Sequence, residues 1–402
     1  MTERHSPSAR TRAGFEAAWY AAAYLRELVP IYPSYAIMMG ERGVAPLELS
    51  ALFIIWTATA LALDVPTGPL ADRYSRKRLL VASNVIKGLA FVPWLALPTF
   101  FGFALGFVLW GIGSSIGSGT LEAFLYDALR ARGDEDAFAK VYGRGIAANS
   151  FGVATALLVG GALAQHGYVI PLVLSTLAPC AAALVYAFAF DEPSREPAQA
   201  HRRYGETLRA GLGVVRGDRT VAYLVAVFGG LVSIYGTLEE YIGPYLKEKP
   251  SFDLTTVGIV YAAAFASRSL GVAFAHRLPG TSARGIVALF AASALPLAAT
   301  TAGGVIWVGG VFALYFALSA AGEILVQARL QAQIDGATRA TVTSVARMAQ
   351  SIGGVALYAL VGAIAQARDW HAAVLATAVA TAVLAIAFAL YATRETPAAA
   401  RA

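Results

Sequence analysis

The sequence predicts an all-α membrane protein of about twelve spans. Three observations predict it: too few charges for a soluble chain, apolar runs of spanning length, and basic residues gathered in alternate loops. Of the 402 residues, 57% are hydrophobic and 14% charged, and mean hydropathy is +0.60. Soluble domains carry about 25% charged residues, so a chain this apolar needs lipid as its solvent. The net charge of +6 does not indicate nucleic-acid binding, because no basic run interleaved with aromatics occurs.

Apolar runs bounded by charges or turn residues fall near 16–39, 46–67, 79–98, 102–128, 143–165, 168–190, 220–245, 254–276, 284–302, 304–328, 340–365 and 370–393. The boundary around Gly303 is the faintest. A cleaved leader is not expected, because Arg26 and Glu27 interrupt the first run and no small-residue cleavage site follows. With the N-terminus inside, the outer loops hold only Arg42, Lys247, Lys249 and Arg368 of the 31 lysines and arginines. That asymmetry is the positive-inside pattern, so both termini are expected to be cytoplasmic, in the plasma (inner) membrane of a bacterium.

The polar stretch Asp191 to Thr220 divides the runs six and six. The expected domains are an N-terminal half, 1–190, a cytoplasmic linker, 191–219, and a C-terminal half, 220–402. The linker is expected to carry a basic surface helix on anionic headgroups. The halves echo one another at an offset of roughly 200 residues. Ala71-Asp72-Arg73 matches Ala275-His276-Arg277, and Glu122 matches Glu323. Gly152-Val153-Ala154 with Leu158-Val159-Gly160 matches Gly354-Val355-Ala356 with Leu360-Val361-Gly362. Such duplication predicts two pseudo-symmetric six-helix halves facing a central cavity.

The loop after the second span reads Gly68-Pro69-Leu70-Ala71-Asp72-Arg73-Tyr74-Ser75-Arg76-Lys77-Arg78, preceded by Asp64-Val65-Pro66-Thr67. It resembles the signature loop of the major facilitator superfamily, with Ser75 at the usual second glycine. The lead-in is similar to that of bacterial efflux-like members. The resemblance implies the major facilitator fold, alternating access, a small-molecule substrate, no cofactor, a proton gradient as energy source and function as a monomer. It also implies a cytoplasmic latch. Gly68 allows close helix approach, and Asp72 meets the positive N-terminus of the eleventh span, near Thr341. Arg73 or Arg76 pairs with Asp127.

Ionisable residues inside spans are costly and mark function by default. Glu27 is the first candidate for proton coupling because it lies near mid-span; Glu122 and Glu323 follow, although Glu122 also suits the inner ion-pair network. Arg26 and Glu27 are expected to be poor partners for each other, since neighbours on a regular helix point about 100° apart. Substrate-cavity candidates are Tyr24, Arg26, Tyr235, Glu239, Arg268 and Arg347. The two C-terminal arginines either attract an anionic substrate or pair with Glu323, the pairing being favoured. Trp19 and Tyr20 suit an interfacial belt or a cavity wall.

Gly113-Ser114-Ser115-Ile116-Gly117 has the form of a nucleophile elbow, but the strand-to-helix context is absent, and small-residue helix packing accounts for it. No phosphate loop or Cys/His metal cluster occurs. The expected function is proton-coupled export of a small organic or drug-like molecule. Its rival is a symporter importing an organic anion drawn by Arg268 and Arg347, and the export reading is weakened because the fifth span keeps only Gly160-Gly161 of the exporters' G-P-x-x-G-G element. A receptor or intramembrane enzyme fits less well, for want of a catalytic constellation.

Overall fold

The computed structural model describes residues 12–118, 120–192, 204–278, 282–335 and 338–394; the side chains of 64–73, 204–208, 340 and 392–394 lie outside that description. All regular structure among the described residues is helical. The chain divides into two compact units. One takes Met1–Tyr35 and Ile55–His201, the other Ala36–Ile54 and Arg202–Ala402.

Among the described residues, ten helical stretches are long and apolar enough to cross a membrane. The first and ninth predicted runs are not among them. The first run is broken: α1 covers Arg12–Glu27 and α2 only Tyr35–Glu41. The cause is in the sequence, since Pro30 and Pro33 lack the amide hydrogen a helix requires and disfavour α backbone just before them. The ninth run forms a helix of 17 residues, Ala283–Ala299.

In the first unit, α1 is followed by the C-terminal part of α3 (Pro46–Arg73), α4 (Arg76–Leu89), α5 (Phe91–Ala96), α6 (Phe100–Ser118), α7 (Leu121–Arg130), α8 (Phe138–Ala164) and α9 (Val169–Ala189). Helix α1 packs on α8 and α9, and α4 packs on α6 and α9. The broken segment 28–34 leaves backbone groups that the α1 ladder cannot satisfy, and neighbours supply partners. Ile31 N–H donates to Ser175 Oγ (3.0 Å), and Lys87 Nζ donates to the Arg26 carbonyl (3.0 Å). Glycines on α8 let the broken strand of chain lie close. A Cβ on Gly160 would collide with the Pro30 carbonyl, and one on Gly152 with the Tyr24 carbonyl. The Gly113–Gly117 segment is likewise packing: Ser83 Oγ donates to the Gly113 carbonyl (2.7 Å), and a Cβ on Gly113 would press on Lys87.

The second unit begins with α10 (Tyr204–Gly217), in the predicted linker. Its Gly211 lies against Thr341 and Val345. The seventh run is not one α-helix. It passes through α11 (Arg219–Val227), a π-turn at Phe228–Val232, α12 (Ser233–Leu238), a 3₁₀ turn at Glu239–Tyr241 and α13 (Ile242–Lys247). Then come α14 (Leu254–Phe274), α15 (Ala283–Ala299), α16 (Val305–Gln333), α17 (Arg339–Ala367) and α18 (Trp370–Arg394). The faint boundary at Gly303 is a true turn, with φ at +82°. Asp253 caps α14 by accepting from Thr256 N–H (2.7 Å), which holds its carboxyl below the usual range.

The π-turn and α12 pack on α17, α14 on α16, and α15 on both α16 and α18. The α15–α18 pairing repeats that of α4 with α9, and the α17 contact with the seventh run repeats that of α8 with α1. The internal sequence repeat therefore has a packing counterpart within each unit. The N-terminal end of α3 belongs to this unit: Ser50 Oγ and Tyr241 Oη lie 2.6 Å apart, and Phe53 packs edge-on to Tyr241.

Replacing Gly160 with Val should lower the folded yield and destabilise the protein by about 1–3 kcal/mol, the usual range for overpacking. Gly143→Ala, on the same helix with nothing within 4 Å of its would-be Cβ, should be neutral or slightly stabilising. Thermal unfolding followed by fluorescence-detected size exclusion checks both, and equal midpoints for the two variants would refute the close-approach argument.

Candidate functional site

The first unit concentrates its intramembrane charge at the break after α1. Glu27 ends the helix, and its carboxylate accepts from Lys87 Nζ at 2.8 Å and from Tyr32 Oη at 2.7 Å. Lys87 is only 6% exposed, so its ammonium depends on this carboxylate and on the Arg26 carbonyl. Tyr32, carried by the broken segment, stacks on Trp110 with centroids 5.6 Å apart and planes 12° apart. Lys87 Nζ lies 5.9 Å from the Tyr32 ring centre. The break thus delivers a hydroxyl and an aromatic face to the ion pair.

Arg26 is the weaker neighbour of Glu27. Its Nε lies 3.7 Å from Glu27 Oε1 and makes no hydrogen bond among the described residues, whereas Lys87 Nζ is at 2.8 Å. Tyr24 packs against Phe151 of α8 (5.9 Å). Trp19 is neither belt nor cavity wall: it is 2% exposed and meets Tyr186 and Phe190 in an aromatic core. Tyr20 donates to Glu16 (3.0 Å).

At the start of α4, Arg76 pairs with Asp127 of α7 and also donates to the Ala123 carbonyl (3.2 Å). Of the two arginines expected near Asp127, Arg76 is the one seen there. Ser75 caps α4 by accepting from Arg78 N–H. Gly68, Asp72 and Arg73 fall within the stretch whose side chains lie outside the description, though α3 runs to Arg73. Glu122 is exposed and accepts from Tyr142 Oη at 2.5 Å.

The second unit carries a separate polar group around the irregular seventh run. Arg268 of α14 lies 3.5 Å from Glu239, and its guanidinium sits 5.2 Å from the Tyr235 ring centre. In place of the favoured pairing with Glu323, Arg268 pairs with Glu239, the first residue of the 3₁₀ turn. Tyr261 repairs the same turn: its hydroxyl accepts from Gly243 N–H and donates to the Glu239 carbonyl, both at 3.0 Å. Tyr235 is 2% exposed, packs on Phe316, and its hydroxyl has no hydrogen-bond partner among the described residues.

Beside this group, α16 and α17 border a partly open cavity of about 280 Å³ lined by Glu323, Gln327, Gln331, Thr343, Arg347 and Gln350, together with Phe228 and two apolar residues. Glu323 lies within electrostatic range of Arg268, Glu239 and Arg347. The sequence reading named Glu323 and Arg347 but missed the amides. The available signal was spacing, since Glu323, Gln327 and Gln331 recur every four residues and so share one helix face. It also left Lys87 out of the site, although it is the principal partner of Glu27.

Among solved structures, the chain is similar to a point variant of the nucleoside transporter NupG (14% identity, TM-score 0.82, covering 93% of this chain and 98% of that one). It is also similar to a bacterial homologue of the human lysosomal transporter Spinster in an inward-facing, occupied conformation (15%, TM-score 0.73, 97% and 98%). A third is a bacterial homologue of the iron transporter ferroportin in an inward-facing state (14%, TM-score 0.72, 96% and 100%). Identities this low speak for the fold alone. No curated protein matches the sequence. The sequence model of the Major Facilitator Superfamily matches residues 20–357, which is most of the chain. With the all-helical duplicated architecture and charges held inside its apolar helices, the match establishes that the chain belongs to the Major Facilitator Superfamily and is a transporter rather than an enzyme.

Proposed function

We propose that the chain couples proton movement to export of a small organic molecule across the plasma (inner) membrane, as a monomer working by alternating access. The observation that carries the reading is the Glu27–Lys87 pair with Tyr32 closing it. Removing one partner of a buried ion pair typically costs about 3–5 kcal/mol, because the other charge is left uncompensated. A proton arriving at Glu27 does the same thing chemically. It neutralises the carboxylate and leaves the Lys87 ammonium with the Arg26 carbonyl and the Tyr32 ring. The penalty is relieved when the segment carrying Tyr32 moves and Lys87 finds water or another acceptor. Protonation then favours one conformation over another, as a coupling ion must.

Lys87 keeps the carboxylate ionised until the proton comes; Tyr32 reports the change to the broken segment. Glu122 and Glu323 are secondary proton sites in this scheme. Export rests on the Asp64–Gly68 lead-in, which resembles efflux-like members. The signature loop supplies the latch. In this reading Asp72 is the latch carboxylate, and the Arg76–Asp127 pair ties α4 to α7 so that the loop is presented rigidly. The basic linker helix steadies the inner surface on anionic lipid. The importing reading has one observation in its favour, the open guanidinium of Arg347 in the C-terminal cavity.

In an efflux-deficient bacterium, expression should lower accumulation of substrates in a panel of dyes, antibiotics and small polar metabolites, and a protonophore should abolish the difference. Raised accumulation would select import instead. Glu27→Gln should lose proton-driven movement while substrate exchange in proteoliposomes survives; an unchanged pH dependence removes Glu27 from coupling. Asp72→Asn in a correctly inserted protein should cut the transport rate by at least tenfold, and a wild-type rate would refute the latch.

A further inference from the structure

The α16–α17 cavity holds polar groups that proton coupling at Glu27 does not use. On α16, Glu323, Gln327 and Gln331 lie four residues apart; on α17, Thr343, Arg347 and Gln350 follow at four and three. Each set occupies one face of its helix, and both face the same space. Two intramembrane carboxylates are answered directly, Glu27 by Lys87 and Glu239 by Arg268. Glu323 and Arg347 differ. Among the described residues neither makes an ion pair or a hydrogen bond, although they line one cavity and feel each other's charge. Gln331 donates to Thr343 (2.8 Å) and closes the end nearest the α16–α17 turn. The Gln327 and Gln350 amides have no hydrogen-bond partner among the described residues.

We propose that this cavity is a binding site for a small zwitterion. Its ammonium group meets Glu323, its carboxylate meets Arg347, and amide or hydroxyl groups between them meet Gln327 and Gln350. The argument is one of charge balance during desolvation. A ligand filling the cavity displaces the water that hydrates both walls. A purely cationic ligand answers Glu323 and strands Arg347; an anion does the reverse; a neutral one strands both. A zwitterion answers both at once, and the amides supply donors and acceptors suited to a peptide-like group. The volume of about 280 Å³ lies below the roughly 300–1,000 Å³ of drug-sized pockets, which suits a ligand the size of an amino acid or dipeptide. This site deepens the transport reading and rests on it, but not on Glu27.

The test is equilibrium binding to the full chain in lipid nanodiscs, with no gradient present, using four probes. These are alanyl-alanine, its C-terminal amide, its N-acetyl derivative, and uridine as a neutral hydrogen-bonding control. Alanyl-alanine should bind at least tenfold more tightly than the other three. In Arg347→Gln the preference over the amide should vanish while the preference over the N-acetyl form persists. In Glu323→Gln the pattern should reverse. A merely structural role would weaken all probes equally in both variants and overturn the site. Binding of uridine as tightly as alanyl-alanine, or of none of the probes, also overturns it. Should either charge variant fail to fold, Gln327→Ala and Gln350→Ala serve instead, and each should weaken alanyl-alanine about tenfold with the uridine result unchanged. The binding readout needs no proton gradient. Failure of proton coupling in proteoliposomes with binding intact therefore counts against the proposed function alone.

Discussion

A charged group in a hydrocarbon environment must be answered within a few ångströms, and in this protein that requirement governs the backbone as well as the side chains. Lys87 is held in the interior of the first unit by a carboxylate and a carbonyl that both come from the last two residues of α1. A helix continuing past Glu27 would keep the Arg26 carbonyl in its own ladder. Ending the helix there frees that carbonyl to accept from Lys87 and carries Tyr32 back to the carboxylate. The break and the ion pair are one feature. Neither is stable in lipid without the other, because freed backbone groups and an unpaired ammonium are each expensive there.

Glycine placement follows from the break. Once residues 28–34 leave the helix, the Pro30 carbonyl projects towards α8, and only a residue without a Cβ leaves room for it. Gly160 therefore answers a geometric demand created by Pro30 on a helix far away in sequence. The same residue is half of the glycine pair that the fifth span shares with exporters. In this chain its local role is to receive the bent first helix, so the pair is not by itself a sign of transport direction. The corresponding glycine in the second repeat, Gly362, meets the Ser50 side chain instead. The repeat preserves the small residue while the group it accommodates has changed.

How much of this was legible in the sequence follows from the range of each interaction. Apolar runs, basic loops and the Asp72 motif are local patterns, so fold class and family could be read directly. The intramembrane charges were also legible, because each stands out against an apolar background. Their partners were not. Lys87 lies in a different helix from Glu27, and one sequence gives no azimuth for either helix. The break after α1 was legible in part, because Pro30 and Pro33 announce the end of that helix. Gln327, Gln331 and Gln350 were missed because neutral amides cost less in a span than charges and so attract less notice. Their spacing from Glu323 and Arg347 was visible nonetheless.

The seventh run carries this reasoning one step further. It has π geometry at Phe228–Val232 and 3₁₀ geometry at Glu239–Tyr241, and each departs from the 3.6-residue turn in the opposite sense. A π-turn takes up one extra residue, which rotates everything beyond it by roughly 100° relative to a straight helix. Tyr235 and Glu239 both lie beyond it, and both meet Arg268. On a regular helix the same sequence would turn those side chains to another face, and Arg268 would be left with Glu323. The π-turn begins at Phe228, which lines the α16–α17 cavity, and its Gly229 carbonyl lies where a Cβ on Gly353 of α17 would fall. By drawing Arg268 towards Glu239, the irregular backbone leaves Glu323 without a close partner. The availability of that carboxylate in the cavity is therefore set by backbone geometry one helix away, not by the residues that line the cavity.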